Sequence, residues 1–346
     1  MNLKSLVREN IRSLSPYKSA RSEFKGKAEI FIDANENPFE NGYNRYPDPN
    51  HSDIKVELAR LKKIDVSCIM LGNGSDEIID LIIRIFCRPG YDTVYTFEPS
   101  FGMFDVAASI NDIKIYKHRL EENFTLNVES FLANIPPNCK IIFLCSPNNP
   151  SGNSLPLNDV EIILKKFQGI VVVDEAYIDF SDHESALTLM DSYPNLVVTQ
   201  TFSKAIGAAG LRIGIAYADP YIIQLLSRVK MPYNISKVNQ QIGLDRLLDI
   251  NKIEKEIQLI KTERNRVRTG LSDNSLIHIV YPSDANFLLV KVENADSIYR
   301  QLIEKGIVVR NRTSLVGCHN CLRITIGTVE ENNILLKFFK NKNNLI

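Results

Sequence analysis

Ile170-Val171-Val172-Val173-Asp174-Glu175-Ala176-Tyr177 sets an unbroken apolar run directly before two carboxylates and a tyrosine. A strand with one wet face alternates apolar and polar residues, whereas a continuous apolar run marks a strand covered on both faces. The same form recurs in Thr93-Val94-Tyr95-Thr96-Phe97, in residues 140–145 and in residues 196–201. Residues 52–63 and 78–86 carry helical periodicity between and before these runs. Short covered strands alternating with helices predict an α/β fold with a mainly parallel sheet between helices.

Ligands of such a sheet sit beyond the carboxyl ends of its strands. Four segments meet there. They are Asp174-Glu175-Ala176-Tyr177, Ser146-Pro147-Asn148-Asn149-Pro150-Ser151-Gly152, Thr201-Phe202-Ser203-Lys204 and the turn Gly74-Ser75-Asp76, which opens a helix. A lysine after a strand is by itself an ordinary surface residue. Lys204 stands instead between hydroxyls and the glycine-rich run Gly207-Ala208-Ala209-Gly210-Leu211-Arg212. Amines form Schiff bases with aldehydes, and hydroxyls with an arginine suit the oxygens of a phosphate. An aldehyde and a phosphate on one molecule describe pyridoxal 5'-phosphate.

That cofactor draws electrons while its ring nitrogen stays protonated, and Asp174 is placed to hold that proton. Tyr177 and Asn149 are candidates for the ring hydroxyl. The phosphate suits the helix start at Ser75 and Asp76, with Thr201, Ser203 and Arg212 beside it, and Phe101 suits the ring face. Gly72-x-Gly74 resembles the opening of a dinucleotide fingerprint, but Glu77 occupies the place of its third glycine.

The whole chain has 346 residues, which favours two domains. We expect an arm over residues 1–29 that packs with the small domain or a partner subunit. A large cofactor-binding domain would follow over 30–238, and a small α+β domain over 239–346. The small domain opens with a long charged helix over 239–269, then strands at 286–292 and 322–326 around a helix at 295–305. Phe31-Ile32-Asp33 reads as a strand. Basic and acidic residues number 41 each, so no positive excess points to nucleic acid. No apolar run approaches the roughly 20 residues of a membrane span, and the mixed, charged first ten residues do not read as a secretory signal. The six cysteines lie mostly among apolar residues and read as reduced thiols. A cytoplasmic location is expected. Cys318-His319-Asn320-Cys321 has ligand-like spacing, but without a second such pair it reads as a loop before a strand. No metal is expected, and His51, His118, His183 and His278 read as surface or packing residues.

Asn149-Pro150-Ser151-Gly152, Asp174-Glu175-Ala176-Tyr177, Ser203-Lys204 with Arg212, and Leu322-Arg323-Ile324-Thr325-Ile326-Gly327 together resemble the fold-type I pyridoxal-phosphate-dependent aminotransferases. The resemblance runs along nearly the whole chain in the family's order. Asp33-Ala34-Asn35-Glu36-Asn37-Pro38, Arg45-Tyr46-Pro47-Asp48-Pro49 and Asp174 through Phe180 are similar to the branch that acts on histidinol phosphate with 2-oxoglutarate and glutamate.

The resemblance implies a seven-stranded sheet and a homodimer. It implies that Lys204 binds the cofactor and moves the substrate's proton, that Asp174 pairs with the ring nitrogen, and that Tyr177 and Asn149 bond the ring hydroxyl. Ser75, Asp76, Thr201, Ser203 and Arg212 would hold the phosphate, and Tyr46 would reach the same phosphate from the neighbouring subunit. Arg323, assisted by Arg310, would bind the anionic end of the substrate. Ser151, Phe101 and Ala208 stand where the family often has Thr, Tyr and Leu. A phosphothreonine decarboxylase or an aromatic aminotransferase would use nearly the same side chains. A cofactor-binding regulator usually adds a DNA-binding domain, for which residues 1–29 are too short.

Overall fold

The computed structural model describes residues 2–343 apart from 16, 18, 19, 24, 25 and 27. A seven-stranded sheet comprises β1 (Ile69–Asn73), β2 (Thr93–Glu98), β3 (Lys114–Arg119), β4 (Cys139–Cys145), β5 (Ile170–Asp174), β6 (Leu196–Thr201) and β7 (Ile213–Ala218). The spatial order is β1-β7-β6-β5-β4-β2-β3. β7 runs against both of its neighbours, and the other pairings are parallel. The carboxyl ends of β1, β4, β5 and β6 therefore lie together, beside the start of β7. The register sets Cys145 opposite Asp174, Thr201 opposite Gly214 and Asn73 opposite Ile213.

β5 lies inside the sheet, which explains why all five of its residues are buried and why its apolar run is unbroken. β1, β3 and β7 are absent from the sequence reading. Gly72 interrupts the apolar run of β1, Gly214 and two alanines dilute β7, and β3 is a charged edge with a mostly exposed face. Charged side chains on an edge strand deter pairing with another chain. Phe31-Ile32-Asp33 forms no strand, and Ile32 is 91% exposed.

A second, antiparallel sheet joins β8 (Ile277–Val280), β9 (Phe287–Val292), β10 (Arg310–Asn311) and β11 (Cys321–Thr325) in the order β10-β11-β9-β8. Val267 and Leu271 of the helix Ile250–Ser272, Leu302 and Phe339 pack with Leu288, Val290 and Ile324 in its own core. The long charged stretch is two helices, Lys237–Leu248 and Ile250–Ser272, broken at Asp249. The first, expected with the smaller unit, packs on the larger one. Gly243 brings it onto Phe202, Ile213 and Ile54, and Leu247 joins the larger core.

The first residues also differ from expectation within the chain. Leu3, Val7 and Ile11 are buried in the larger core. The Arg8 amide donates to the Ile85 carbonyl at 3.1 Å and its guanidinium donates to the Arg84 carbonyl at 2.9 Å. A cation at the end of the helix Gly74–Phe86 suits the negative pole of that helix.

A small apolar cluster seals the seam between the units. It combines Tyr177, Phe180 and Ala205 with Ala285 and Phe287. Arg264 crosses the same seam, donating to the carbonyls of Phe180 at 3.1 Å and Ala285 at 2.9 Å.

Two glycines fix the start of the helix Gly74–Phe86. Gly74 has φ +76°, a region that suits glycine. A Cβ on Gly214 would lie 2.3 Å from the Gly74 carbonyl carbon and from the Ser75 nitrogen. Both obstacles are backbone, so the helix start itself would have to move. Gly214→Ala is expected to lose about 1–3 kcal/mol of stability. Gly210→Ala, where a Cβ meets nothing within 4 Å, should stay within about 0.5 kcal/mol of the parent. Urea unfolding of the two variants checks this pair.

Candidate active site

The first turn of the helix Gly74–Phe86 offers amide N–H groups that lack intrahelical acceptors. Arg212 closes over it. Its backbone has φ +54°, and its carbonyl accepts the Gly74 amide at 2.7 Å. A non-glycine residue in the left-handed region costs on the order of 1 kcal/mol. Here that geometry lets one residue bond the helix start with its backbone and face it with its side chain. The Arg212 guanidinium lies 3.2 Å from the Asp76 carboxylate and 3.5 Å from the Ser203 hydroxyl. Thr201 Oγ1 donates to Ser203 Oγ at 3.0 Å and accepts the Ser203 amide at 3.1 Å. Two hydroxyls, a guanidinium and a helix start thus surround one point, an arrangement suited to a phosphate.

Asp174 ends β5 and is 2% exposed. Its Oδ1 accepts the Ala176 amide at 3.0 Å. Burial pushes its carboxyl up to about 7; Asp76 and Glu175 add to the shift, while the Ala176 amide and Lys204 oppose it. A cation at this carboxylate would restore the charged form. Lys204 follows β6, and its amine is held below the ordinary lysine range by burial and then by Arg323 and Arg212, against Asp174 and Asp76. The neutral, nucleophilic form is thereby more accessible than in an ordinary lysine.

Lys204 Nζ lies 5.5 Å from the centroid of the Tyr177 ring. Tyr177 stands edge-on to Phe287 with centroids 5.2 Å apart, and burial raises its phenol. Glu175 takes no place in this cavity. It accepts from Ser185, Ala186 and Gln200 at 2.5, 2.6 and 3.1 Å, tying the segment after β5 to β6.

Asn148 holds two loops of the site together. Its Nδ2 donates to the Pro99 carbonyl at 3.0 Å and to Ser151 Oγ at 2.7 Å, and its Oδ1 accepts from Ser100 Oγ at 3.1 Å. Asn149 and Phe101 follow directly from these anchors. Phe101 meets Phe104 edge-on at 5.6 Å. Asn149 Oδ1 in turn accepts from the Arg323 guanidinium, which lies 5.2 Å over the Phe287 ring.

Ser75, Asp76, Phe101, Asn149, Asp174, Tyr177, Thr201, Ser203, Lys204, Arg212, Arg310 and Arg323 all line one cavity of about 710 Å³. Tyr46 does not. It stacks on Tyr233 with centroids 4.4 Å apart, beside a second cavity of about 630 Å³ that Arg212 also lines. The sequence reading missed three contributors: Arg312, a further cation in the main cavity; Asn148, the loop tie; and Phe287, the floor under Arg323. The alternation Arg310-Asn311-Arg312 is a signal for the first, since alternate residues of an extended chain share a face.

Cys318 is buried in the loop before β11 and Cys321 is buried as the first residue of that strand, and all six cysteines are free. Among the described residues no cluster of three or more His, Cys, Asp or Glu side chains forms a metal site, and no helix is long and apolar enough to cross a membrane.

Comparison with known proteins agrees with this geometry. The model of the class I and II aminotransferases matches residues 25–339. The chain is 53% identical to the histidinol-phosphate aminotransferase of Parabacteroides distasonis over 340 residues, 98% of this chain and 99% of that protein. It superposes on the crystal structure of the histidinol-phosphate aminotransferase from Clostridium acetobutylicum with a TM-score of 0.80, at 25% identity, covering 87% of this chain and 91% of that one. The fold also matches that of histidinol-phosphate aminotransferase from Sinorhizobium meliloti, solved in complex with pyridoxal-5'-phosphate, with a TM-score of 0.80 at 23% identity over 87% of this chain and 83% of that one. With its sheet, its cavity and a match along nearly its full length, the chain belongs to the class I and II aminotransferases.

Proposed function

We propose that this aminotransferase interconverts L-histidinol phosphate and 2-oxoglutarate with imidazole-acetol phosphate and L-glutamate, in histidine biosynthesis, using pyridoxal 5'-phosphate. The observation that carries the reading is one cavity with a cofactor end and an anion end. At the first, the Lys204 amine and the buried Asp174 carboxylate lie with the Arg212 cradle; at the second stand Arg310 and Arg323. The 53% identity to a histidinol-phosphate aminotransferase supports the substrate.

The residues present fit the cofactor. Asp174, raised to about 7 chiefly by burial, is a carboxylate that gains from a cation beside it, and a protonated ring nitrogen is one. The helix start with Ser75 and Asp76, together with Thr201, Ser203 and Arg212, fits the phosphate. When bound, pyridoxal phosphate supplies an aldehyde carbon that takes the amino group and a ring that accepts the electron pair left at the substrate's Cα.

The protein's side chains then have distinct tasks. Lys204 Nζ would hold the cofactor at its aldehyde carbon and would take the proton from the substrate's Cα. Burial, then Arg323 and Arg212, lower the amine's pKa, which makes the basic form that this transfer needs more accessible than in an ordinary lysine. Asp174 keeps the ring nitrogen protonated. Tyr177 and Asn149 would bond the ring hydroxyl, and Phe101 would cover the ring. Arg323 is oriented by Asn149 and by the Phe287 ring. It grips the phosphate of histidinol phosphate or a carboxylate of glutamate, since a guanidinium fork suits both. Arg310 assists it.

The active form in this reading is a cytoplasmic homodimer. Tyr46 lies outside its own chain's cavity, which supports its serving the phosphate of the partner's cofactor. Tyr17, Ile30, Phe39 and Tyr43 are large apolar side chains exposed on the same stretch of chain, and a second copy would cover them.

Two measurements test this. Protein loaded with pyridoxal phosphate and given one amine at a time should lose its aldehyde-form absorbance fastest with histidinol phosphate. Phosphothreonine or phenylalanine reacting as fast would remove the substrate assignment. Lys204→Ala should lose at least about 10³-fold in turnover, and Tyr46→Phe should be impaired. Mixing these two variants should restore activity as subunits exchange and one intact site forms per mixed dimer. Activity that never exceeds the sum of the separate variants would place Tyr46 outside the partner's site.

A further inference from the structure

We propose that Arg312 is a third substrate-anion arginine, and that it sets the preference of this site for a phosphomonoester over a carboxylate. The proposal rests on the function given above and names a specificity residue within it.

The geometry comes first. Arg310 and Arg312 are two residues apart along an extended segment, so their side chains leave on the same face. Arg310 lies opposite Arg323 in the antiparallel pairing of β10 with β11. The Arg312 amide donates to the Cys321 carbonyl at 2.8 Å, which continues that pairing and fixes where the side chain begins. All three arginines line the cavity that holds Lys204.

Their partners differ. Arg323 is engaged by Asn149. Among the described residues, none of the three arginines forms an ion pair. The acidic side chains lining the cavity, Asp76 and Asp174, belong to its cofactor end. The Nε atoms of Arg312 and Arg323 are both buried without a hydrogen-bond partner. A buried donor left unmade is costly, and two such donors in one cavity mark where an oxygen-rich ligand belongs.

Charge points the same way. Burial first, then Arg323 and Arg310, bring the Arg312 guanidinium down to about 10. Three cations crowd one end of the cavity, so an anion there gains from each. A carboxylate brings one charge and two oxygens. A phosphomonoester near neutral pH brings up to two charges and three terminal oxygens, enough to occupy a third guanidinium. Arg323 and Arg310 suffice for either anion, and Arg312 adds the part that a carboxylate leaves unused.

The experiment uses the full chain loaded with pyridoxal phosphate, as wild type, Arg312→Gln and Arg312→Lys. The affinities for histidinol phosphate and for glutamate are read from the absorbance change in each half-reaction, and that for inorganic phosphate from calorimetry. In Arg312→Gln the affinity for histidinol phosphate should fall at least about tenfold further than that for glutamate. Phosphate binding should weaken with it, and Arg312→Lys should fall between the two. Equal losses for both substrates would reduce Arg312 to a structural residue, and no loss would remove it from the site; either result overturns the proposal. If Arg312→Gln does not fold, the comparison is made with Arg312→Lys, where an unchanged preference and unchanged phosphate affinity overturn it equally. A wild-type protein that does not react with histidinol phosphate would overturn the parent function as well, and that outcome is distinct from an active wild type with an unchanged variant.

Discussion

A carboxylate at the end of a covered strand is an unstable thing to bury. Asp174 has one amide donor from Ala176 and almost no exposure, and burial raises its carboxyl to about 7. Desolvation of this kind is offset by an opposite charge, and Lys204 provides part of one. The rest of the site is arranged around that unmet demand. β4 and β6 flank β5, so the asparagine loop and the lysine loop open on either side of Asp174. The reversed β7 brings Arg212 to the same end of the sheet. Sheet order and the position of one buried charge thus decide where every other group stands.

The smaller unit is joined to this end by contacts that belong to the site itself. Tyr177 and Phe287 meet edge-on across the seam, and the same Phe287 lies beneath Arg323. Arg323 reaches back to Asn149 on the larger unit. The anion end of the cavity is therefore assembled by docking of the two units. A change in that docking would move Arg310, Arg312 and Arg323 relative to Lys204 without altering either core.

Legibility in the sequence followed burial. β4, β5 and β6 read directly because each carries at least three consecutive apolar residues, Ile141 to Cys145, Ile170 to Val173 and Leu196 to Val198. Lys204, Asp174, Asn149 and Arg212 could be placed because they stand where those strands end or where β7 begins. β1 and β7 were hidden by the glycines that the close approach at Gly214 requires. β3 was hidden by the charges of an edge. Phe31-Ile32-Asp33 has the composition of a strand but joins neither sheet, so propensity alone misled. The break at Asp249 carries no proline or glycine, and a single long helix was the natural reading. An arginine two residues from another on a short segment looks like ordinary surface in sequence; the place of Arg312 in the cavity depends on β10 pairing with β11. Tyr46 lies outside the main cavity of its own chain, and its expected place in a partner's site comes through resemblance alone.

A buried carboxylate awaiting a cation has a direct thermodynamic consequence. An unfolded aspartate gives up its proton near pH 4, whereas folded Asp174 holds its proton to about 7. Between those values the unfolded chain binds fewer protons than the folded one, so this group removes stability as pH rises, and the loss persists above the folded value. Asparagine carries no such penalty. The decisive measurement is the melting temperature of wild type and Asp174→Asn, each without cofactor, from about pH 4 to pH 8. The variant should gain on wild type up to about pH 7 and hold that advantage beyond it, and loading both with pyridoxal phosphate should reverse the order. Parallel curves without cofactor, or a variant that gains as much from pyridoxal phosphate as wild type does, would contradict the account.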